Sequence, residues 1–567
     1  MLLKVLKGAI QSLFARRVIQ SNPTQDDHTA EAGARHIRVD DLAALLANAA
    51  STHRQRDLQG ALNMYRIARQ RMLDAPVQAR AAVHLNMGAI LRELVRVPEA
   101  IDQFKLALSL QPSLAEAHYN LGLAFYESGE IEAAEIWLKS AIEIAPDLQV
   151  AHSSLLCLYG FAKSGNPDIV LAAHRRWAEK FADPLTRMAP PHANERNVER
   201  RLTVGYVSAD FKEHSVARFI APIFANHDRA RFRVICYDNW PRGDATSQRL
   251  RGLVDEWRKI DGLDDSSAAA LVRADGVDIL VDLSGHTTGN RLLLFAQKPA
   301  PVQVSWFGYM CTTGMTAIDW RITDAYMDPP GSSEWRYVER LIRIASVAAF
   351  EPHPDSPDVS VSPVLTNGFV RFGSFNNYAK IGDEVITLWG QVLSVLPNAK
   401  LLLVVLGGDD AQIQASVRDR FVRLTATPDI ATRIDIMGRR SPKEFLHLFH
   451  LVDIALDPFP YGGGTTSLHC LWMGVAIVTL EGESELSRST SGMLIACGLD
   501  DLVARSETQY LDTCIRLATN PKQLVELRAE LRQRFAKSAF CDGKLVTRDL
   551  EDAFRHMWAD YLQSSHI

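Results

Sequence analysis

Residues 115–148, AEAHYNLGLAFYESGEIEAAEIWLKSAIEIAPDL, decide how the first third of this chain folds. His118, Asn120, Gly122, Ala134, Ala141 and Pro146 each repeat a residue of the same type 34 positions earlier: His84, Asn86, Gly88, Ala100, Ala107 and Pro112. A fixed period of that length, with small residues where two helices cross and a proline after the second helix, is the pattern of stacked tetratricopeptide hairpins. A looser copy spans 42–76 with a few extra residues before its proline, and a partial one starts near 151. Each hairpin buries its apolar face against its neighbours, so the repeats and a capping helix at 169–181 form one solenoid over 41–182, with a concave groove suited to extended peptide.

Outward from the repeats the texture changes. Residues 183–200 carry Pro184, Pro190 and Pro191 without periodicity and read as a connector. From 201 onward short apolar runs alternate with amphipathic helical stretches: LTVGYVS, FRVICY, DILVDLS and VQVSWFG, then FVRFGSF, KLLLVVL, RIDIM, DIALD and AIVTL. Runs apolar on both faces are what parallel strands buried between helices look like. The prediction is two doubly wound Rossmann-like sheets, 201–347 and 367–567, joined by a proline-rich linker at 348–366. The helical stretch after 507 is expected to cross back and brace the first sheet.

Composition narrows the function. Among 567 residues, 62 basic and 67 acidic side chains are mixed along the chain, giving a net charge of -5 and no basic block that points to nucleic acid. The seven cysteines are scattered and lack CxxC spacing, which fits reduced thiols in the cytoplasm and argues against a structural zinc. The first 20 residues are basic and amphipathic, yet they lack a continuous apolar core and a small-residue cleavage site. Residues 1–40 are therefore read as a helical segment rather than a membrane anchor.

Candidate chemistry falls at strand ends, where open α/β sheets bind ligands. YGGGTTSLHCLW (461–472) follows a strand and enters a helix; Gly463 and Gly464 admit close backbone approach, and Thr465 and Thr466 present amides and hydroxyls at a helix N-terminus that favours an anion such as a diphosphate. The bland alternative is a tight turn, and no Walker lysine follows. Lys380, in FGSFNNYAKI, can neutralise a departing phosphate or be a solvated surface lysine, and Asn377 adds polar reach beside it. His214 ends YVSADFKEH and is placed either for proton transfer or as a helix cap. His286 and Thr287 follow another strand, Tyr309 sits in the 306–314 loop, and Asp261 is a candidate carboxylate base unless it is an ordinary loop aspartate. Asp264, Asp265, Asp409 and Asp410 lack a metal-site context.

In order and wording, RLTVGYVSADFKEH, DLSGHTTGNR, QKPAPVQVSWFGY, FNNYAKI, SPKEF, GGGTT and MGVAIVTL make the chain resemble the O-linked N-acetylglucosamine transferases in a bacterial form with a shortened repeat array. The resemblance implies a GT-B fold and metal-independent, inverting transfer from UDP-GlcNAc to serine or threonine hydroxyls of protein. It assigns His214 to the histidine facing donor and acceptor, Lys380 to stabilisation of the diphosphate, and Thr465 and Thr466 to the diphosphate cradle. Asn377 stands where animal enzymes have glutamine, Asp261 near a second base candidate, and Arg440 and Lys443 in the segment against uracil. Gly464 and His469 depart from the histidine and the acidic ribose contact of the animal enzymes. The plant Spindly-type enzymes use GDP-fucose on the same architecture, so another nucleotide sugar, a small-molecule acceptor or a catalytically weak peptide-binding scaffold are the competing readings.

Overall fold

A computed structural model describes residues 39–72, 75–162 and 165–564. The segment expected at 1–40 lies, apart from its last two residues, outside them. The chain divides into two compact units, residues 1–155 and 156–567.

In the first unit, Val39–Arg54 pairs with Leu58–Gln70, Val77–Glu93 with Val97–Leu110, and Ala115–Glu127 with Ile131–Ile144. The 34-residue echo maps onto the packing. Ala100, Ala107, Ala134 and Ala141 are fully buried. A Cβ at Gly88 would come within 2.5 Å of the Phe104 ring, and one at Gly122 within 2.9 Å of Leu138. Glycine therefore sets how closely the two helices approach in the second and third hairpins. His118 and His152 reach the carbonyls of Pro112 and Pro146, each at 2.8 Å, so even a polar contact repeats with the period.

The second unit holds two parallel sheets. In the first, β1 (Leu202–Ser208), β2 (Phe232–Asp238), β3 (Glu256–Lys259), β4 (Ile279–Asp282), β5 (Val302–Ser305), β6 (Trp320–Thr323) and β7 (Arg340–Arg343) lie in the order β3-β2-β1-β4-β5-β6-β7. In the second, β8 (Arg371–Ser374), β9 (Lys400–Val404), β10 (Ile434–Met437), β11 (Ile454–Leu456), β12 (Ala476–Leu480) and β13 (Val503–Ala504) lie in the order β10-β9-β8-β11-β12-β13. Strand order reverses between β1 and β4 and between β8 and β11, and these switch points are where such sheets take ligands.

Beyond the nine runs above and the strand-like WRKI that precedes Asp261, three strands escape the sequence pattern. β6 and β7 are four-residue strands carrying arginine, and β13 has two residues. Arg321 in β6 is 2 % exposed, with its guanidinium donating to the carbonyls of Tyr309 and Cys311, and Arg340 in β7 stacks on Trp320 at 3.8 Å. Arginine, buried at Arg321 and exposed at Arg340, breaks the apolar run by which a parallel strand is recognised.

The helix at Pro167–Phe181 belongs to the second unit, which corrects the expected solenoid boundary at 182. His174 Nε2 bonds the Tyr309 hydroxyl at 2.7 Å, and Trp177 meets the His286 ring edge-on at 4.6 Å. The connector after it is pinned rather than loose: Asn194 donates to Asp278 at 2.7 Å and Arg200 grips the same carboxylate.

The closing helix, Gly543–Ser564, returns to the first sheet as expected. Val546, Leu550, Phe554, Met557 and Trp558 enter the core built on Leu202, Val204 and Phe224. A buried chain of Tyr206 hydroxyl, His227 ring and Glu551 carboxylate, at 2.8 and 2.9 Å, fixes its rotation. Trp558→Ala is expected to destabilise the second unit by about 3–5 kcal/mol, on the scale of a buried aromatic truncation, and to lower the melting temperature measured by calorimetry; an unchanged transition would show that the helix is dispensable.

Candidate active site

The second sheet's switch point collects the strongest chemistry. β8 ends at Ser374, and a short 3-10 turn, Tyr378–Lys380, follows it. Asn377 caps that turn, its side-chain oxygen accepting the Ala379 N–H at 3.2 Å. The turn aims Lys380 at the neighbouring loop: its Nζ donates to the Gly462 carbonyl at 2.7 Å and lies 3.7 Å from the centre of the Tyr461 ring. Phe161 packs on the same ring at 4.8 Å. Burial lowers the Lys380 pKa to about 8, with Asp457 pulling the other way. The ammonium thus remains charged near neutral pH with only part of its charge met by protein.

The loop is shaped by close packing. A Cβ at Gly463 would fall 2.0 Å from Ser467 Oγ, so only glycine fits. The Gly462 N–H donates to the Leu486 carbonyl at 3.1 Å, and Thr490 donates to the Gly463 carbonyl at 3.1 Å. Gly464 differs, since a Cβ there meets nothing within 4 Å. It begins the helix Thr465–Trp472, which no side chain caps among the described residues. The amides at Thr465 and Thr466 therefore open the helix with its partial positive charge facing outward.

On the first sheet, β1 runs into Asp210, Lys212 and His214. His214 caps the helix Ser215–Asn226, its Nδ1 accepting the Val216 N–H at 3.3 Å. Its side chain is 43 % exposed, yet desolvation still lowers its pKa, against the opposing pull of Asp210 at 3.8 Å. A neutral ring whose Nδ1 accepts carries its proton on Nε2. In this state His214 offers an N–H donor rather than a base.

Other predicted residues have different surroundings. His286 is buried, with Nε2 at 3.0 Å from the Thr313 carbonyl and its pKa far below the usual range through burial. Tyr309 is buried beside it, and Thr287 turns its hydroxyl back to Ser284 at 2.6 Å. These three brace the β4 and β5 loops. Asp261 is exposed beyond β3, two strands from the switch point, with Lys259 at 3.4 Å. Arg440 grips Asp409 through two bonds, 2.7 and 2.9 Å, holding that carboxyl down at about 2, and Lys443 is exposed one turn on. His469 lies among Phe350, Phe445 and Phe449, its Nδ1 buried with no hydrogen-bond partner among the described residues and its pKa lowered to about 4 by burial and then by Arg218 and His353. Arg218 belongs to the helix that His214 caps, so the first sheet's chemistry reaches the second's.

Asp457, Tyr461, Phe161 and Thr490 were missed from the sequence. Asp457 could have been found as the acid closing an apolar strand before glycines. Phe161 and Thr490 approach from elements remote in the chain, and nothing local marks them. Among the described residues no three histidine, cysteine or carboxylate side chains gather as a metal site, and no helix is long and apolar enough to cross a membrane.

Comparison with known proteins adds a second line of evidence. The family model described as Glycosyl transferase family 41 matches residues 172–353 and 362–550, and tetratricopeptide models match 88–129 and 115–148. A Petunia hybrida protein named probable UDP-N-acetylglucosamine–peptide N-acetylglucosaminyltransferase SPINDLY is 39 % identical over 415 residues, covering 72 % of this chain and 44 % of that protein. The Caenorhabditis elegans UDP-N-acetylglucosamine–peptide N-acetylglucosaminyltransferase is 24 % identical over 489 residues, covering 65 % and 42 %. The chain thus spans less than half the length of these curated relatives. A solved structure, a mutant Thermobaculum terrenum O-GlcNAc transferase, superposes with a TM-score of 0.85 at 35 % identity, covering 93 % of this chain and 99 % of that one.

The buried ammonium makes a stability prediction. A folded pKa near 8 against 10.5 unfolded means the charge opposes folding fully below pH 8, and the opposition fades as pH climbs toward 10.5. Lys380→Met is expected to raise the unfolding free energy at pH 7 by about 1–2 kcal/mol, the desolvation relief less the lost hydrogen bond. Denaturant titrations at pH 7 and 10 check this; a gain that does not shrink at pH 10 contradicts it.

Proposed function

This chain belongs to glycosyl transferase family 41, and we propose that it transfers N-acetylglucosamine from UDP-GlcNAc to serine or threonine hydroxyls of protein, inverting the anomeric carbon. The observation that carries the reading is the meeting of the Lys380 ammonium with an uncapped helix N-terminus at Thr465 and Thr466, at the switch point of the second sheet. When an acceptor hydroxyl attacks the anomeric carbon and the bond to the donor phosphate breaks, negative charge grows on the departing nucleotide diphosphate. Preorganised positive charge that strengthens with that growth lowers the barrier.

His214 contributes its Nε2–H to orient sugar or acceptor, a role that matches its cap geometry. Charge supplied by lysine and helix makes a metal unnecessary in this mechanism. The tetratricopeptide repeats hold the protein acceptor, in keeping with relatives named as peptide N-acetylglucosaminyltransferases. Seven scattered free thiols suit a reducing cytoplasm.

Four outcomes test the reading. UDP at 100 times its dissociation constant adds roughly 2.7 kcal/mol to stability, so melting curves with UDP, GDP and TDP should favour UDP; a larger shift with GDP would replace the donor but keep the transferase. Lys380→Ala is expected to lower kcat by about 10²–10³, the scale of one lost preorganised donor, and near-normal turnover would sink the leaving-group role. Turnover should fall as pH rises through about 8, where Lys380 loses its proton, and should survive EDTA; loss of activity in chelator would refute metal independence.

A further inference from the structure

Asp457 follows directly on β11 and is 1 % exposed. One carboxylate oxygen accepts the Gly463 N–H at 2.7 Å, and the other accepts the Thr479 hydroxyl at 2.8 Å. The Gly462 carbonyl belongs to the same peptide plane as that N–H, and it accepts Lys380 Nζ at 2.7 Å. One peptide group therefore lies between an anion on its N–H side and a cation on its C=O side, its dipole aligned with both. Hydrogen bonds to ionised groups are roughly twice as strong as neutral ones. The plane is also locked sterically, because a Cβ on Gly463 would approach Asp457 to 2.9 Å as well as striking Ser467.

We propose that Asp457 is a positioning residue for the anion-binding loop: through the Gly462–Gly463 peptide it fixes both Lys380 and the amides that follow at Thr465 and Thr466. Rotation of that plane would withdraw the carbonyl from Lys380 and redirect the chain into Gly464. The role rests on the diphosphate reading above for its purpose, though the clamp itself does not. Electrostatics adds a second effect. Among the described residues Asp457 is the charged group acting on Lys380, and the other titratable side chain against it, Tyr461, stays neutral with its phenol pushed up to about 12 by burial. Removing the carboxylate charge lowers the pH at which Lys380 loses its proton.

Competitive acetylation of Lys380, read by peptide mass spectrometry from pH 6 to 10, measures its titration without nucleotide, and calorimetric UDP binding over the same range measures the loop. Asp457→Asn is expected to move the labelling midpoint down by about one pH unit or more and to move the alkaline loss of UDP affinity with it. A uniform loss of affinity with an unmoved midpoint overturns the proposal, because a merely structural residue would give that. Should Asp457→Asn fail to fold, Gly463→Ala decides: displacing the plane while keeping both charges is expected to weaken UDP at least tenfold and to speed Lys380 acetylation several-fold at pH 7. Wild-type values for both overturn the clamp. A midpoint shift in Asp457→Asn, in a protein whose wild type binds no UDP at any pH, supports the clamp and rejects the nucleotide reading.

Discussion

Holding a lysine ammonium inside protein is the constraint on which the second sheet's site depends. Burial disfavours the charge, and every feature around Lys380 offsets that: a carbonyl at hydrogen-bond distance, an aromatic face and a carboxylate behind the loop. Those same features dictate the glycines. The carbonyl can reach the lysine only if the chain passes close to Asp457 and Ser467, where no side chain fits at residue 463. The loop's sequence, the lysine's charge and the uncapped helix start are therefore one solution to one electrostatic problem.

The first sheet repeats part of this solution. Asp282 ends β4 at that sheet's switch point and accepts the N–H groups of Ser284 and Gly285 at 3.0 and 2.8 Å. An acid closing the central strand and gripping the following loop thus appears at both switch points. Among the described residues, the second loop goes on to meet a lysine, whereas the first runs into a buried cluster of His286, Tyr309, His174 and Trp177. The resulting asymmetry gives the second sheet a loop that meets a lysine and an uncapped helix start, and the first sheet a loop closed in by aromatic and imidazole rings, leaving His214 at the more open β1 end.

Much of the architecture was legible because its signals are local. The 34-residue echo reports helix contacts made between neighbours in sequence, and the apolar runs of β1, β2, β8, β9 and β12 are long enough to declare strands. The glycine-rich stretch and Lys380 stand out in the sequence because strand ends are where such sheets bind ligands. Asp261, His286 and Tyr309 looked equivalent to them on that rule. The structure separates them, since a strand-end position does not say whether a side chain points to solvent, to a cleft or into a core.

By itself the sequence determined the repeat solenoid, the two parallel sheets and the place of the glycine loop at a strand end, because periodicity and residue type act over a few positions of chain. Only the tertiary structure decided that the helix Pro167–Phe181 serves the second unit, that the last helix completes the first sheet's core, and that Asp457 and Lys380 share one peptide plane. Lys380 and Gly462 are 82 positions apart, and His227 and Glu551 are 324 apart. Contacts at such separations depend on how whole elements pack, and no short stretch of sequence carries that information.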